Sequence, residues 1–248
     1  EGERINAVLP VKEFSDDQYV FMATLMGTVK KTPLSDFSNP RKAGIIAVAL
    51  DDDDYLIGVE LTSGQSDIVL VSDAGKAVWF DEEDVRPMGR GARGVRGMRL
   101  QKGQSVISLL VAESDQQTVL VATENGFGKR TVLADFRHSG RGTQGVRAIA
   151  ADRERNGIVV GAKLVGDEDE IMFITTGGVL IRTRVAEIRG MGRATQGVTL
   201  ISLDDGEKLA GLEKIVETVA DIEIAAEANG DAAGEATGEA AGEAAGEE

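Results

Sequence analysis

The chain of 248 residues contains no cysteine, one histidine and one tryptophan, and aromatic residues make up only 4% of it. The lack of cysteine excludes disulfide bridges and thiolate metal sites, and it is typical of a reducing compartment. No apolar run approaches the roughly 18 residues that a membrane-spanning helix needs, and the first residues do not form a basic and apolar signal segment. We therefore expect a soluble cytoplasmic protein with a core rich in Val, Ile and Leu.

The negative charge is concentrated at one end. The formal net charge is −15, yet residues 217–248 carry ten acidic residues and no basic one, which leaves 32 acidic and 27 basic residues elsewhere. The end segment is low in large apolar side chains and is predicted to be a disordered acidic tail. Two roles for this tail stay open, a solubilising extension and an acidic competitor for a basic site. The charge of residues 1–216 leaves room for a strongly basic surface.

Internal repetition is the strongest pattern in the sequence. Each repeat has an anchor glycine preceded by an apolar run and followed, nine residues later, by an acidic residue. The anchors are Gly27, Gly75, Gly126 and Gly178. A second glycine follows and opens a further apolar run, at Gly44, Gly94, Gly145 and Gly197. A last apolar run closes each repeat.

These short runs of Val, Ile and Leu, bounded by Asp, Gly, Asn and Ser, are typical of β-strands. Four strands in each unit of about 50 residues predict an all-β, propeller-like disc of four-stranded antiparallel blades; a β-sandwich is the alternative. The predicted blades span 19–61, 67–111, 118–165 and 170–215, in a domain of residues 1–216. Residues 3–11 match only the closing strand of a unit, which favours a piece of a larger disc.

Several sequence features that could indicate a catalytic, nucleotide or metal site lack the surrounding residues that such a site needs. The stretches "GRGARG" and "GRGTQG" at 89–94 and 140–145 have the glycine spacing of a dinucleotide site, but neither opens a helix after a strand. His138 has no catalytic partner at a telling spacing, and the "DDDD" of residues 51–54 occupies a predicted turn. Trp79 is expected to pack between blades. We predict no catalytic residue, no metal site and no cofactor in this domain.

A basic loop precedes the second glycine of every repeat, and "GRGARGVRG" at 89–97 in the second repeat is also rich in glycine. Arginine suits bidentate contacts to phosphate, and glycine lets a phosphate approach backbone N–H groups. Without aromatic platforms, duplex phosphates are favoured over bases. The alternative is that these arginines balance nearby carboxylates. The candidate DNA-binding residues are Lys31, Arg41, Lys42, Arg90, Arg93, Arg96, Arg130, Arg141, Arg147, Arg182 and Arg193.

Four stretches carry a family resemblance: "VFMATLMGTVKKTPLSDF", "ENGFGKRT", "NGIVVGA" and "RTRVAEIRGMGRATQGV". They resemble the C-terminal domain of the bacterial DNA gyrase A protein, across residues 3–216. The resemblance implies a β-pinwheel, in which neighbouring blades share strands. It also implies non-specific wrapping of duplex DNA around a basic perimeter, which presents DNA for negative supercoiling.

The same resemblance implies that catalysis, ATP and Mg²⁺ belong to other parts of an A2B2 enzyme, whose gyrase B protein and remaining gyrase A regions are the expected partners. It places the protein in the bacterial cytoplasm, at the nucleoid, and the isolated domain is expected to be monomeric. The family's Q-R-R-G-G-K-G box is absent from this sequence and is expected upstream. The corresponding disc of topoisomerase IV and a propeller-like protein scaffold remain alternatives.

Overall fold

The computed structural model describes residues 5–216, and the predicted tail at 217–248 lies outside the described residues. By their contacts the residues divide into Glu1–Lys214 and Ile215–Glu248. Four short 3-10 turns, at Leu34–Phe37, Glu82–Asp84, Leu133–Asp135 and Val185–Glu187, are the helical elements of the described part. No helix in this part is long and apolar enough to span a membrane.

The rest of the regular structure within residues 5–216 is β-strand, organised in four antiparallel sheets. In chain order the strands are β1 (Tyr19–Thr24), β2 (Thr28–Pro33), β3 (Leu56–Thr62), β4 (Asp67–Ser72), β5 (Lys76–Asp81), β6 (Val95–Arg96), β7 (Val106–Ala112), β8 (Thr118–Thr123), β9 (Phe127–Val132), β10 (Val146–Arg147), β11 (Val159–Val165), β12 (Glu170–Thr175), β13 (Leu180–Arg184), β14 (Val198–Thr199) and β15 (Leu209–Ile215).

Consecutive repeats exchange a strand. The first three sheets have the orders β3-β1-β2-β6, β10-β5-β4-β7 and β11-β8-β9-β14, so one outermost strand of each sheet comes from the following repeat. The exchanged strands are short: Val95 pairs with Val29 and Arg96 with Thr28. The all-β, propeller-like fold predicted from the sequence is confirmed, with strands shared between neighbours.

Two details differ from the sequence prediction. The four strands of a blade do not come from one repeat, because the run after the second glycine joins the preceding sheet. A closing strand was predicted at residues 3–11, and the described part of it, residues 5–11, has no regular secondary structure. Leu9 and Val11 instead pack against the outer face of the first sheet. The short exchanged strands were recognised as strands but assigned to the wrong sheet.

Both glycines of the repeat are explained by this exchange. Gly94 has a φ of +108°, and a Cβ there would lie 2.5 Å from the carbonyl oxygen of Val29 in the preceding blade. The anchor Gly27 has a φ of +81°, and its Cβ would lie 2.8 Å from the carbonyl oxygen of Met98. Any side chain would therefore strain the backbone and push the crossing segment away.

The fourth sheet has three strands among the described residues, in the order β13-β12-β15. Its edge strand β13 exposes 61% of Leu180, whereas the equivalent Val29 and Ala77 are 0% and 2% exposed beneath exchanged strands. Gly178 and Gly44, unlike their counterparts, have nothing within 4 Å of a notional Cβ among the described residues. The exchanged strand is thus what covers this edge in the first three blades.

The cores lie between consecutive sheets. One cluster joins the second and third sheets and includes Val69, Trp79, Val121 and Ile149; similar clusters join the first to the second sheet and the third to the fourth. Trp79 is 8% exposed, which confirms the prediction that it packs between blades. Each blade is held by apolar burial against its neighbours as well as by the exchanged strand.

A buried ion pair joins the first and second blades. Glu82 is fully buried at the position where the other repeats have Leu34, Leu133 and Val185. Its carboxylate accepts hydrogen bonds from Thr62 Oγ1 at 2.5 Å and from the backbone N–H groups of Gly64 and Ser66, both at 3.1 Å. Lys31 Nζ lies 3.7 Å from this carboxylate and donates to the Glu82 carbonyl at 3.2 Å.

Removing the cation from this pair should destabilise the fold. In Lys31→Met the Glu82 carboxylate stays buried without its countercharge, so we expect the free energy of unfolding to fall by about 3 kcal/mol. Urea denaturation measures the change. The exposed Lys102→Met is the matched control and should stay within about 0.5 kcal/mol of the wild type; equal losses for both variants would contradict the assignment.

Candidate nucleic-acid interface

Each sheet has an inner and an outer edge. The long strands β3, β7, β11 and β15 line one common cavity, with β3 contacting β7 and β7 contacting β11. At the opposite edge of the first three sheets lie the exchanged strands β6, β10 and β14. The loops leading into them are therefore peripheral. We call residues 88–97, 139–148 and 190–199 the rim.

The rim loops of consecutive repeats are bonded to one another. Arg141 donates from its guanidinium to the backbone carbonyls of Arg96 and Asp84, both at 2.9 Å. One repeat further, Arg193 Nη1 donates to the carbonyl of Arg147 at 3.5 Å. The backbone adds a bond from Arg99 N to the Thr143 carbonyl at 2.8 Å. The basic loops thus form a continuous surface over three repeats.

Two buried lysines hold the rim from beneath. Lys30 is 1% exposed, and its ammonium donates to the backbone carbonyls of Ala47, at 2.6 Å, and of Arg90. Lys129, at the same position two repeats later, is fully buried and donates to the Gly192 carbonyl at 2.5 Å. These ammonium groups turn the loop carbonyls inward, because the carbonyls are their hydrogen-bond acceptors.

Burial changes the acidity of both lysines. Desolvation lowers the pKa of Lys30 from 10.5 to about 8, with a raising effect from Asp36 and a further lowering effect from Arg90. Desolvation likewise lowers the pKa of Lys129 to about 8, with Arg193 lowering it further and Asp135 opposing. Arg90 and Arg193 therefore lie close enough to the buried ammonium groups to disfavour their charged form.

Most of the predicted DNA-binding residues lie on or beside peripheral loops. Arg41, Lys42, Arg93, Arg96 and Arg147 are exposed. Arg90, Arg141 and Arg193 are half-buried, because they take part in the bonds that order the rim. Arg93 also forms an ion pair with Asp51, so the "DDDD" turn touches the basic loop.

Three predicted residues are placed differently. Lys31 is 4% exposed and paired with Glu82, so it is not available to a phosphate. Arg130 donates to the Ile188 carbonyl at 2.6 Å and pairs with Asp167, while Arg182, although exposed, pairs with Glu170. Lys31, Arg130 and Arg182 occupy one position of the repeat, that of Trp79, on strands β2, β9 and β13. There the first two join one blade to the next and lie outside the rim loops, and a DNA-binding role for the three stays a prediction.

Other arginines were missed by the sequence prediction. Arg86, Arg137 and Arg189 are exposed and occupy one position of the repeat, eleven residues after the anchor glycine. The repeat register alone could have found them. His138, predicted as an unpartnered loop residue, lies between Asp67 and Asp81. No sequence spacing indicated that contact, because strand exchange creates it.

The glycines of the rim differ from those of the strand exchange. Gly89, Gly91, Gly190 and Gly192 have nothing within 4 Å of a notional Cβ in the described part of the chain. They are also outside the set of residues with positive φ. Neither packing nor backbone conformation within the described domain therefore requires glycine at these positions.

A repeated four-sheet domain with exchanged outer strands and a basic rim defines a member of the propeller-like class. The family model described as "DNA gyrase C-terminal domain, beta-propeller" matches residues 18–63, 66–113, 117–165 and 169–215, which correspond to the four repeats. The chain belongs to this DNA gyrase C-terminal domain family.

Similar proteins include the gyrase A protein of Klebsiella oxytoca, 52% identical over 225 residues, which are 91% of this chain and 26% of that one. The gyrase A protein of Escherichia coli K12 is 50% identical over 224 residues, 90% of this chain and 25% of that one. The chain thus spans about a quarter of the length of these relatives.

Two solved structures are similar. The first is described as the DNA gyrase A C-terminal domain: its TM-score is 0.75 at 28% identity, covering 83% of this chain and 68% of that one. A topoisomerase IV C-terminal domain has a TM-score of 0.82 at 27% identity, covering 90% of this chain and 69% of that one. Both support the fold described above.

The lowered pKa of the buried lysines predicts a pH dependence. Between about pH 8 and 10.5 the unfolded chain binds more protons than the folded protein at Lys30 and Lys129, so the free energy of unfolding should rise with pH in that window. Lys30→Met and Lys129→Met should each reduce this rise in urea denaturation at stepped pH. Lys102→Met, exposed, should keep the wild-type slope; unchanged slopes in both test variants would contradict the burial of charge.

Proposed function

We propose that this domain binds duplex DNA without sequence preference along the rim and bends it there. The observation that carries the proposal is the continuity of the rim, in which Arg141 bonds to the Arg96 carbonyl and Arg193 to the Arg147 carbonyl. A duplex is a stiff rod with evenly spaced negative charge, so a curved, continuous basic surface can offset the cost of bending it through many phosphate contacts.

The rim glycines support phosphate as the ligand. Gly89 and Gly91 flank Arg90 and are open on the side where a Cβ would stand. Nothing within the described fold explains why these two positions lack a side chain. A phosphate oxygen that approaches the backbone N–H groups would explain it, because a Cβ would block its approach. Arg93 and Arg96, exposed on the same loop, supply the guanidinium groups that bind phosphate in a bidentate manner.

Rim composition disfavours two other ligands. The three rim loops contain no aromatic residue, and Trp79 is 8% exposed. Single-stranded nucleic acid is bound largely by stacking on aromatic side chains, so the duplex is the better partner. A protein-binding scaffold would present apolar or aromatic anchors, whereas this surface presents arginine and glycine.

Family membership supports a place in a larger enzyme. We assign the chain to the gyrase A protein of a DNA gyrase, where it would wrap DNA for ATP-dependent negative supercoiling. Its partners there would be the other gyrase A regions and the gyrase B protein, in an A2B2 complex. ATP and Mg²⁺ would act in those other parts. Such an enzyme works at the nucleoid in the bacterial cytoplasm.

The topoisomerase IV disc is the rival assignment. Backbone similarity does not separate the two, because the solved topoisomerase IV domain has the higher TM-score. The two solved domains are also equally similar in sequence, at 28% and 27% identity, so the gyrase A proteins that are 50–52% identical to this chain are what favours gyrase.

Loss of rim arginines should weaken DNA binding. For the wild type, log K should fall linearly with log salt, with a slope of about 0.9 for each phosphate neutralised. Changing Arg90, Arg93 and Arg96 together to Ala should lower the affinity for all duplex sequences alike and make this slope shallower. Fluorescence anisotropy with labelled duplexes over a salt series measures both.

The matched control removes three exposed cations from turns outside the rim, Lys102, Arg153 and Arg155, and should leave most of the affinity and slope intact. Equal effects of the two triple variants would show that binding is diffuse.

Ligation of nicked circles in the presence of protein tests bending. With no Q-R-R-G-G-K-G box in this sequence, we expect only a small positive linking-number shift, absent for the rim variant.

The open glycines provide a second test. Gly89→Ala combined with Gly91→Ala should leave urea stability unchanged or slightly raised, because the backbone has no positive φ there. The two methyl groups should lower duplex affinity about tenfold, the loss expected for one charge-assisted hydrogen bond. Gly211→Ala, at an equally open glycine on β15, is the control. Full affinity in the double variant would show that the backbone does not contact phosphate.

A further inference from the structure

Three side chains of types that commonly bind metal ions lie close together beside the rim. His138 Nε2 lies 3.3 Å from Asp67 Oδ1 and 3.5 Å from Asp81 Oδ1. The ligand atoms of all three residues lie within 4.8 Å of one another. The two aspartates stand on β4 and β5 of the second blade, and His138 arrives on the crossing segment of the third repeat. This cluster is separate from the rim arginines.

The two carboxylates form an unfavourable pair without a cation. Asp67 and Asp81 are direct partners on neighbouring antiparallel strands, and like charges in directly opposed positions destabilise a sheet. In the fourth sheet the same pair of positions holds Glu170 opposite Arg184, with 3.8 Å between their charged groups. The second blade has no arginine at this place, and His138 is the group that faces both carboxylates.

The two distances from His138 to the carboxylates fit a shared metal ion better than hydrogen bonds. Distances of 3.3 and 3.5 Å are longer than optimal hydrogen bonds. Around tetrahedral Zn²⁺, ligands at about 2.1 Å from the ion are about 3.4 Å apart. One imidazole nitrogen and two carboxylate oxygens also form a donor set that suits Zn²⁺, Co²⁺ and Ni²⁺ better than Mg²⁺.

The surrounding fold holds the histidine in place. The Trp79 ring packs edge-to-face on the His138 imidazole, with ring centroids 4.7 Å apart. The backbones of the two residues form a parallel bridge, and Ser139 N donates to the Trp79 carbonyl at 2.9 Å. The His138 side chain is 41% exposed and that of Asp81 63% exposed, which leaves the site open to an ion from solvent.

We propose that Asp67, Asp81 and His138 bind one divalent transition-metal ion of the Zn²⁺ type. The ion neutralises the opposed carboxylates and ties the third repeat's crossing segment to the second blade. Three protein ligands leave a coordination position for water. At this junction the ion takes the place that charged side chains occupy at the others, where Lys31 meets Glu82 and Arg130 meets Asp167.

The chain carries its own reporter for this site. Trp79 is the only tryptophan and His138 the only histidine, so quenching of tryptophan fluorescence by bound Co²⁺ or Ni²⁺ reports binding at this place alone. Titration of the full chain with Co²⁺ should give saturable quenching at one ion per chain, and excess Zn²⁺ should displace it. Zn²⁺ alone should raise the thermal unfolding midpoint.

His138→Gln and Asp81→Asn should each abolish the saturable quenching and the Zn²⁺ stabilisation, with circular dichroism confirming the fold. Asp81 is largely exposed, so its variant should fold even if the histidine variant does not. Asp115→Asn, an exposed acidic residue in another turn, should behave as wild type. Unchanged quenching in both test variants, or displacement of Co²⁺ by Mg²⁺ as readily as by Zn²⁺, would overturn the proposal.

Discussion

Strand exchange between repeats determines where every peripheral side chain of the domain lies. The outer strand that covers Val29 and Ala77 is supplied by the following repeat, and without such a strand Leu180 is left exposed at the equivalent place. The exchanged strand is only two residues long, so it depends on the close approach that Gly94 and Gly145 allow. Because the rim loops lead directly into these strands, the same hydrogen bonds that complete a blade also fix the basic surface.

The junctions between blades share a backbone design and differ in chemistry. At the position of Trp79 the first repeat has Lys31, which meets buried Glu82, and the third has Arg130, which meets Asp167. Trp79 instead packs on His138. Since the parallel bridge between neighbouring repeats recurs at all three junctions, the side chains there are free to vary as long as buried charge is paired.

The sequence predicted the elements of this fold better than their partners. The glycines and apolar runs that recur at equivalent positions of the repeats predict the strands, because turns and strands each have a characteristic local sequence pattern. No local sequence pattern indicates the strand exchange. None indicates that Glu82 is buried at the repeat position that Leu34 and Leu133 occupy elsewhere. Basic residues of the repeat are equally ambiguous, because Arg96 is exposed whereas Lys31 is buried. Only the pairing of distant segments decides between these outcomes, and it also creates the contact of His138 with Asp67.

The buried lysines link the stability of the domain to its proposed ligand. Lys30 and Lys129 bind rim carbonyls from within, and burial together with Arg90 or Arg193 disfavours their charged form. A polyanion placed on the rim would oppose that repulsion and raise the pKa of both lysines toward its usual value. A duplex bound at the rim would therefore offset the repulsion between the buried lysines and Arg90 or Arg193. The same repulsion that disfavours the charged lysines would then favour binding of a polyanion, as expected where buried charges serve binding.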